Sequence, residues 1–325
     1  MANTPACLSG LRVNDELWAR RCGLSPWRII VYFSLIVQAV LSGVTNGAIY
    51  ALIGVGLAVI FKGSRVINAM QGEICIVSAV ICVFVMTGLG FSYPAAFLTG
   101  VLCGALVGLF IEWGLVRPMI RRHAGEDAFL LLTVGLGYTF SASILYFAGR
   151  DYFSLPTIGQ DATAIIFDAT IRHHAIWVIG LTALLVVAVR LFYTHTILGL
   201  SMMAASIDAD GAMSCGIDTN RARALTYAMG GLLGACAGLL VAPLIPLNYH
   251  MGLLFTLKGF CAAMIGGLTN PMGAIVGGII LGLFESMAIV FLSSAYKDIA
   301  ALSALLVIMM LFPYGMLGHA GRKGG

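Results

Sequence analysis

The sequence predicts an all-α, polytopic transmembrane helical bundle of eight to ten spans, some of them discontinuous, arranged in two pseudo-repeated halves. Three observations carry that expectation. Apolar residues make up 60% of the 325 positions and charged residues only 10%, with a mean hydropathy of +0.99. Soluble domains run nearer 45–50% apolar and about 25% charged. Long apolar runs recur along the whole chain, close to the ~20 residues that one crossing needs. Forty glycines are spread through those runs, as is usual for membrane helices. The composition argues against a water-soluble enzyme, a disordered chain and a disulfide scaffold. The net charge of +4 is diffuse, so nucleic acid is not an expected partner and the lipid bilayer is. None of the eight cysteines forms a C-x-x-C pair, and buried free thiols are expected.

Residues 1–28 read as a polar N-terminal tail carrying Arg12, Arg20, Arg21 and Arg28, without a secretory signal. Apolar segments follow at 29–61, 66–87, 93–116, 128–148, 175–193, 222–242, 255–268, 271–293 and 298–315. The first would be roughly 50 Å long as a helix, against ~30 Å of hydrocarbon. A tilted helix with an interfacial piece fits it, and so does a hairpin of two short helices near Ser42-Gly43. Segment 255–268 is about 21 Å long and reads as a half-helix that enters the bilayer and stops. Lys62, Arg65, Arg117, Arg121, Arg122, Arg221, Arg322 and Lys323 cluster in alternate loops and ends, which assigns those to the cytoplasm. The Arg-bearing N-terminal tail pulls the same way, which would require segment 29–61 to go in and come back.

Small residues recur at four-residue spacing: Gly43, Gly47 and Ala51; Gly100, Gly104 and Gly108; Gly230, Gly234 and Gly238; Gly278 and Gly282. Such stripes let helix backbones approach closely. A faint internal repeat is also present. Ile67-Asn68-Ala69-Met70-Gln71-Gly72 and Leu247-Asn248-Tyr249-His250-Met251-Gly252 each follow a Gly-rich helix and share aliphatic-Asn-x-x-x-Gly. Transporters are often built from two related halves with the site between them.

Polar groups at membrane depth are costly and therefore informative. The candidates for a substrate pathway are Asn46, Asn68, Gln71, Glu73 and Asn248. Asn68, Gln71 and Glu73 fit a polar lining or, equally, a helix start in which Asn68 caps and Glu73 meets the helix dipole. Glu112 is expected to snorkel to the interface. Lys258 could pair with an acid or with carbonyls at the end of a half-helix, and Glu285 lies mid-segment. His173 and His174 read as outer-surface histidines. No catalytic residue, metal site or cofactor is expected: the chain lacks H-E-x-x-H, G-x-S-x-G and G-x-x-x-x-G-K-[ST], and Lys never follows Gly. Any nucleotide drive must come from another polypeptide. The 194–221 loop carries a short apolar stretch, then Asp208, Asp210-Gly211 and Gly216. It reads as a helix docked in a partner's groove rather than one lying on lipid, which would prefer basic residues on its polar face.

Taken in order and spacing, several motifs resemble the permease subunits of branched-chain (hydrophobic) amino-acid ABC importers. They are Asn46-Gly47-Ala48-Ile49-Tyr50-Ala51-Leu52, Arg65-Val66-Ile67-Asn68 with Gln71-Gly72-Glu73, Glu112 with Arg117-Pro118, Gly199, and Ala204 through Gly216-Ile217. Asn248 with Met251-Gly252, Gly266-Gly267, Pro271-Met272-Gly273-Ala274, Tyr296-Lys297-Asp298 and Pro313-Tyr314-Gly315-Met316-Leu317-Gly318 complete the set. The resemblance covers about residues 36–320. It implies a permease domain over 29–318, a cytoplasmic coupling loop at 194–221 and a cytoplasmic C-terminal tail at 319–325. It also implies coupling to an ATPase through Gly199, Ala204, Asp208, Gly216 and Ile217. The implied partners are a second homologous permease, two ABC ATPase subunits and a periplasmic solute-binding protein, at a bacterial inner membrane. The implied cargo is a branched-chain or hydrophobic amino acid or a related small solute such as urea, an amide or an aromatic acid. Met202 and Met203 stand where the family often has Arg-Ala, and Asp210 where it often has a basic residue. A stand-alone ion-coupled carrier or channel is the alternative, and it would need a relay of membrane charges that Lys258 and Glu285 alone hardly make.

Overall fold

The computed structural model describes residues 26–157, 163–166, 169–311 and 315. The expected N-terminal tail up to residue 25 and the tail 319–325 lie outside the described residues. Helix α1 (Pro26–Ser64) is one continuous rod, so the first apolar segment crosses once, as a long helix and not as a hairpin. Next come α2 (Gln71–Leu89) and α3 (Tyr93–Ile111), a π-helical turn at Glu112–Val116, α4 (Arg117–Arg121), α5 (Glu126–Ala148) and α6 (His173–His195). The chain continues with α7 (Ile197–Ile207), α8 (Ala209–Ser214), α9 (Thr219–Val241), α10 (Gly252–Gly266), α11 (Pro271–Phe291), a 3₁₀ turn at Ser294–Tyr296 and α12 (Lys297–Leu311). Eight of these stretches are long and apolar enough to cross a membrane, and α10 is a shorter apolar helix. The outer loop adds a small ribbon, β1 (Thr163–Ile166) antiparallel to β2 (Ala169–Arg172).

Close contacts fix the directions of the helices. Gly63 abuts Thr226, Gly108 abuts Tyr227 and Glu112 pairs with Arg223. Lys62 lies 5.9 Å over the ring of Tyr193. The ends of α1, α3 and α6 therefore meet the start of α9 at one end of the bundle, which is the basic end. At this end Lys62, Arg65, Arg117, Arg121 and Arg122 gather, as expected of a cytoplasmic surface. A single crossing by α1 puts Pro26 at the opposite end.

The small-residue stripes are the seams of the bundle. Gly43, Gly47 and Ala51 of α1 face Gly278 and Gly282 of α11, so closely that a Cβ on Gly282 would meet the Gly43 carbonyl. Gly100, Gly104 and Gly108 of α3 face Leu239, Ala235 and Tyr227 of α9. The other stripe on α9 faces α1 and α2: Gly230 meets Ile60, Gly234 meets Gln71 and Gly238 meets Cys75. Helices α1 and α9 thereby form the core and are mostly buried, whereas α5 and α6 lie largely exposed at the periphery. Hydropathy does not follow that order: peripheral α6 is the most apolar of the four and buried α9 the least. Lipid and protein core are equally apolar solvents for a side chain, and backbone proximity distinguishes them.

Candidate functional site

Two helices begin inside the bundle, not at its surface. Helix α2 runs parallel to α9, because Gln71 lies beside Gly234 and Cys75 beside Gly238. Its first turn is therefore level with the middle of α9. The stretch 65–70 climbs to that level as non-helical backbone, and this moves the start of the helix from the expected 66 to Gln71. Arg65 turns the chain with φ 57°, and the Asn68 side chain accepts the Met70 N–H at 3.2 Å. Irregular backbone at this depth is tolerable only when enclosed by protein, and Val66, Asn68 and Met70 are all buried. On the other side, 242–251 descends from the outer end, tied by an antiparallel bridge between Phe153 and Leu247. Helix α10 then starts at Gly252 and is about 22 Å long, the half-helix expected near 255–268.

The two starts face each other. A Cβ on Gly72 would land on the Gly252 carbonyl, and a Cβ on Gly252 would land on the Glu73 carboxylate. Gly72 donates its N–H to Thr256 Oγ1 at 2.8 Å. Gln71 Nε2 donates to the Gly230 carbonyl of α9 at 2.8 Å. Glu73 is 5% exposed, packs against Gly252 and Gly137, and its Oε2 is buried with no hydrogen-bond partner. Its charge is offset by the first turns of α2 and α10, each carrying roughly half a positive charge. The arrangement offers a donor-rich, positively polarised spot with one carboxylate oxygen open to a donor.

The structure thus gathers Asn68, Gln71 and Glu73 around the meeting point of the two repeated motifs. Asn248 enters the same junction by chain continuity, four residues ahead of Gly252. It hydrogen-bonds elsewhere, donating to the Arg150 carbonyl at 3.4 Å and meeting His250 Nδ1 at 3.0 Å. Asn46 stands apart, lining a cavity of about 370 Å³ with Thr45, Gln38 and Arg172 near the outer end. Thr256, Gly230 and Gly137 complete the junction; Gly230 belongs to a small-residue stripe of the sequence, and no local signal marks Thr256 or Gly137.

At the basic end, α7 and α8 form a helix–corner–helix. Thr196 caps α7 by accepting the Gly199 N–H at 3.0 Å. Gly199 fits because any Cβ there would strike the Phe192 carbonyl. Ala204 accepts the Asp208 N–H, and Asp208, in extended conformation, breaks the helix and caps α8 through Asp210 N and Gly211 N. Gly216, at φ 79°, ends α8, and Ile217 returns its N–H to the Ala212 carbonyl. All five residues singled out in the loop therefore shape its corners. The apolar face of α7 points outward: Ile197, Leu200, Met203 and Ile207 are exposed, Ile197 by 86% and Ile207 by 75%.

A family described as branched-chain amino acid transport system / permease component matches residues 39–313. The chain belongs to this permease family. LivH of Salmonella typhimurium, a high-affinity branched-chain amino acid transport system permease protein, is 28% identical over 88% of this chain and 97% of its own. BraD of Pseudomonas aeruginosa, of the same description, is 26% identical over 87% and 95%. A probable branched-chain amino acid transport permease of Methanocaldococcus jannaschii is 24% identical over 84% and 89%. The permease is thus a multi-pass membrane component of a transport system.

Three further buried charges in the permease, Glu112, Lys258 and Glu285, are paired. Lys258 of α10 donates to Glu285 Oε1 at 2.7 Å, Asp298 Oδ1 at 2.8 Å and the Tyr50 hydroxyl at 3.2 Å. This hub ties α10 to α11, α12 and α1, and it answers the sequence's question about Lys258 in favour of acids. Glu112 does not snorkel. It is 1% exposed and bonds Arg223 Nε at 3.1 Å, because it lies four residues past Gly108 on the stripe that faces α9. Pro118, which lacks an N–H and crowds the preceding turn, accounts for the π turn; Arg117 N reaches back to the Glu112 carbonyl. His174 is likewise buried, with Nε2 at 3.0 Å from the Leu240 carbonyl, while His173 is exposed as expected.

Proposed function

We propose that this permease is one of two homologous membrane subunits of an ATP-driven importer in the bacterial inner membrane, and is not itself an enzyme. One of two ABC ATPases docks on α7–α8, the other on the second permease, and a periplasmic solute-binding protein delivers cargo to the opposite end. The cargo is a branched-chain or hydrophobic amino acid or a small relative such as urea, an amide or an aromatic acid. The observation that carries the reading is the outward apolar face of α7 at the basic end. An 11-residue helix of about 16 Å is too short to span, and it holds four large apolar side chains away from the bundle. A groove on a partner is the environment that such a face fits.

The same contacts supply a route for coupling. Asp208 and the Asp218 cap at the start of α9 make the loop and α9 continuous. A push on α7–α8 moves α9, and α9 holds Gln71 through the Gly230 carbonyl. The start of α2 then shifts against the start of α10, opening a path past Asn68, Glu73 and Asn248. Nucleotide binding drives the change only if the ATPase contacts differ in free energy between the two states.

The test is reconstitution with the cognate ATPases. Gly199→Leu and Asp208→Lys are expected to leave ATP hydrolysis running and abolish uptake; normal uptake by both would remove the coupling role of the loop. Cysteines at positions 68 and 248 are expected to become reactive in one nucleotide state. Protection in every state removes them from the path. Solute accumulation by the purified chain alone, under a proton or sodium gradient, would overturn the importer reading itself.

A further inference from the structure

Beside the coupling loop lies a basic recess that the transport cycle above does not use. Along the continuous helix from α3 through the π turn to α4 lie two adjoining cavities, of about 630 and about 410 Å³, that share Trp113 and Arg117 as a common wall. Each is within the ~300–1,000 Å³ of small-molecule sites. One side of the larger cavity is the start of α9, with Asp218, Asn220 and Arg221. The smaller is lined by Arg121 and Arg122. The acids present are already engaged: Glu112 holds Arg223, and Asp218 caps α9 and pairs with Arg221 at 3.1 Å. Among the described side chains no acid pairs with Arg117, Arg121 or Arg122, and Arg117 Nε is buried without a partner. The other flank is apolar and open, formed by Leu106, Leu109 and Phe110, with Trp113 71% exposed at the rim.

We propose that this recess binds the headgroup of an anionic phospholipid. The phosphodiester sits on Arg117, Arg121 and Arg122, and an acyl chain lies along Leu106, Leu109 and Phe110. A planar guanidinium takes phosphate oxygens in pairs. Basic recesses between helices on the cytoplasmic side suit such headgroups, and an exposed Trp belongs at that interface. A free phosphate would satisfy the arginines but not the apolar wall. Bound there, the lipid bridges α3–α4 to the first turn of α9, where the coupling loop ends.

The test uses the full chain in neutral detergent and reads quenching of Trp113 by brominated lipid, taken as the difference between wild type and Trp113→Phe. Brominated phosphatidylglycerol is expected to half-quench at about one-tenth the mole fraction of brominated phosphatidylcholine. Arg121→Gln and Arg122→Gln, both at exposed positions, are each expected to weaken the preference about fivefold. Arg190→Gln, an exposed change on α6, leaves it unchanged. Equal quenching by the two lipids, or a preference indifferent to both arginine changes, overturns the proposal. Full displacement by millimolar inorganic phosphate would make this a phosphate site without a lipid requirement. Protection of Trp113 only in the assembled complex would give the recess to a partner protein, and either result also overturns the assignment to lipid.

Discussion

Glu285 and Glu73 are buried almost equally, at 2% and 5% exposure, yet they are neutralised by different means. Glu285 faces a cation at 2.7 Å that also holds Asp298 and Tyr50. Glu73 has no cation within reach among the described residues and rests on the first turns of α2 and α10. The first arrangement fastens three helices together. The second places a carboxylate without a side-chain cation where the two aliphatic-Asn motifs meet, and in both acids Oε2 is buried without a hydrogen-bond partner. Buried charge in this permease is thus balanced by a side-chain cation at one place and by backbone polarity at the other.

The steric half of that comparison should give the largest effect. Gly252→Val forces a branched side chain onto the Glu73 carboxylate, and Gly72→Val onto the Gly252 carbonyl. Overpacking costs about 1–3 kcal/mol and more where backbone must move. Both variants are expected to lose nearly all uptake and most monodisperse yield in detergent. Uptake within twofold of wild type for either would mean that the two helix starts do not meet.

Breaking the hub comes next. Lys258→Met strands two acids, and removal of one partner from a buried pair costs about 3–5 kcal/mol. Thermal unfolding in detergent should fall sharply, and the triple change Lys258→Met, Glu285→Gln, Asp298→Asn should recover most of the loss. A triple variant no better than the single one would show that the hub does more than balance charge.

Glu73→Gln separates the two regions most clearly. With Oε2 unpartnered, the isostere should alter stability by less than about 1 kcal/mol, yet lower uptake at least tenfold. Unchanged uptake in a stably folded variant would reduce Glu73 to a packing role. Tyr50→Phe is the mildest change: it removes one 3.2 Å hydrogen bond to Lys258 and is expected to cost about 0.5–1.5 kcal/mol, with transport retained.

The apolar segments were legible residue by residue, because hydropathy and the breaks at Gly and Pro are local. The spans at 93, 128–148 and 271 begin or end within a few residues of the observed helices. The start of α2 differs from the hydropathy boundary because the Arg65 turn opens, and the Asn68 side chain closes, an irregular stretch that is itself apolar. Glu112 continues the Gly100–Gly104–Gly108 spacing, and its burial follows from that stripe facing α9, a partner that spacing alone does not name. The two aliphatic-Asn-x-x-x-Gly motifs were visible as a repeat, but their facing each other was not.

By itself, then, the sequence determined the solvent of this permease, its helices, the small-residue seams and the residues too polar for lipid to tolerate unaided. Tertiary structure alone decided which seams meet and which charges pair. Gly72 finds Thr256 across 184 residues of chain, and Lys258 chooses Glu285 and Asp298 from the acids of the chain. The physical reason is one of range. Transfer into an apolar phase is a sum over single residues, whereas a hydrogen bond or a steric clash depends on atoms a few ångströms apart that the chain supplies from distant positions.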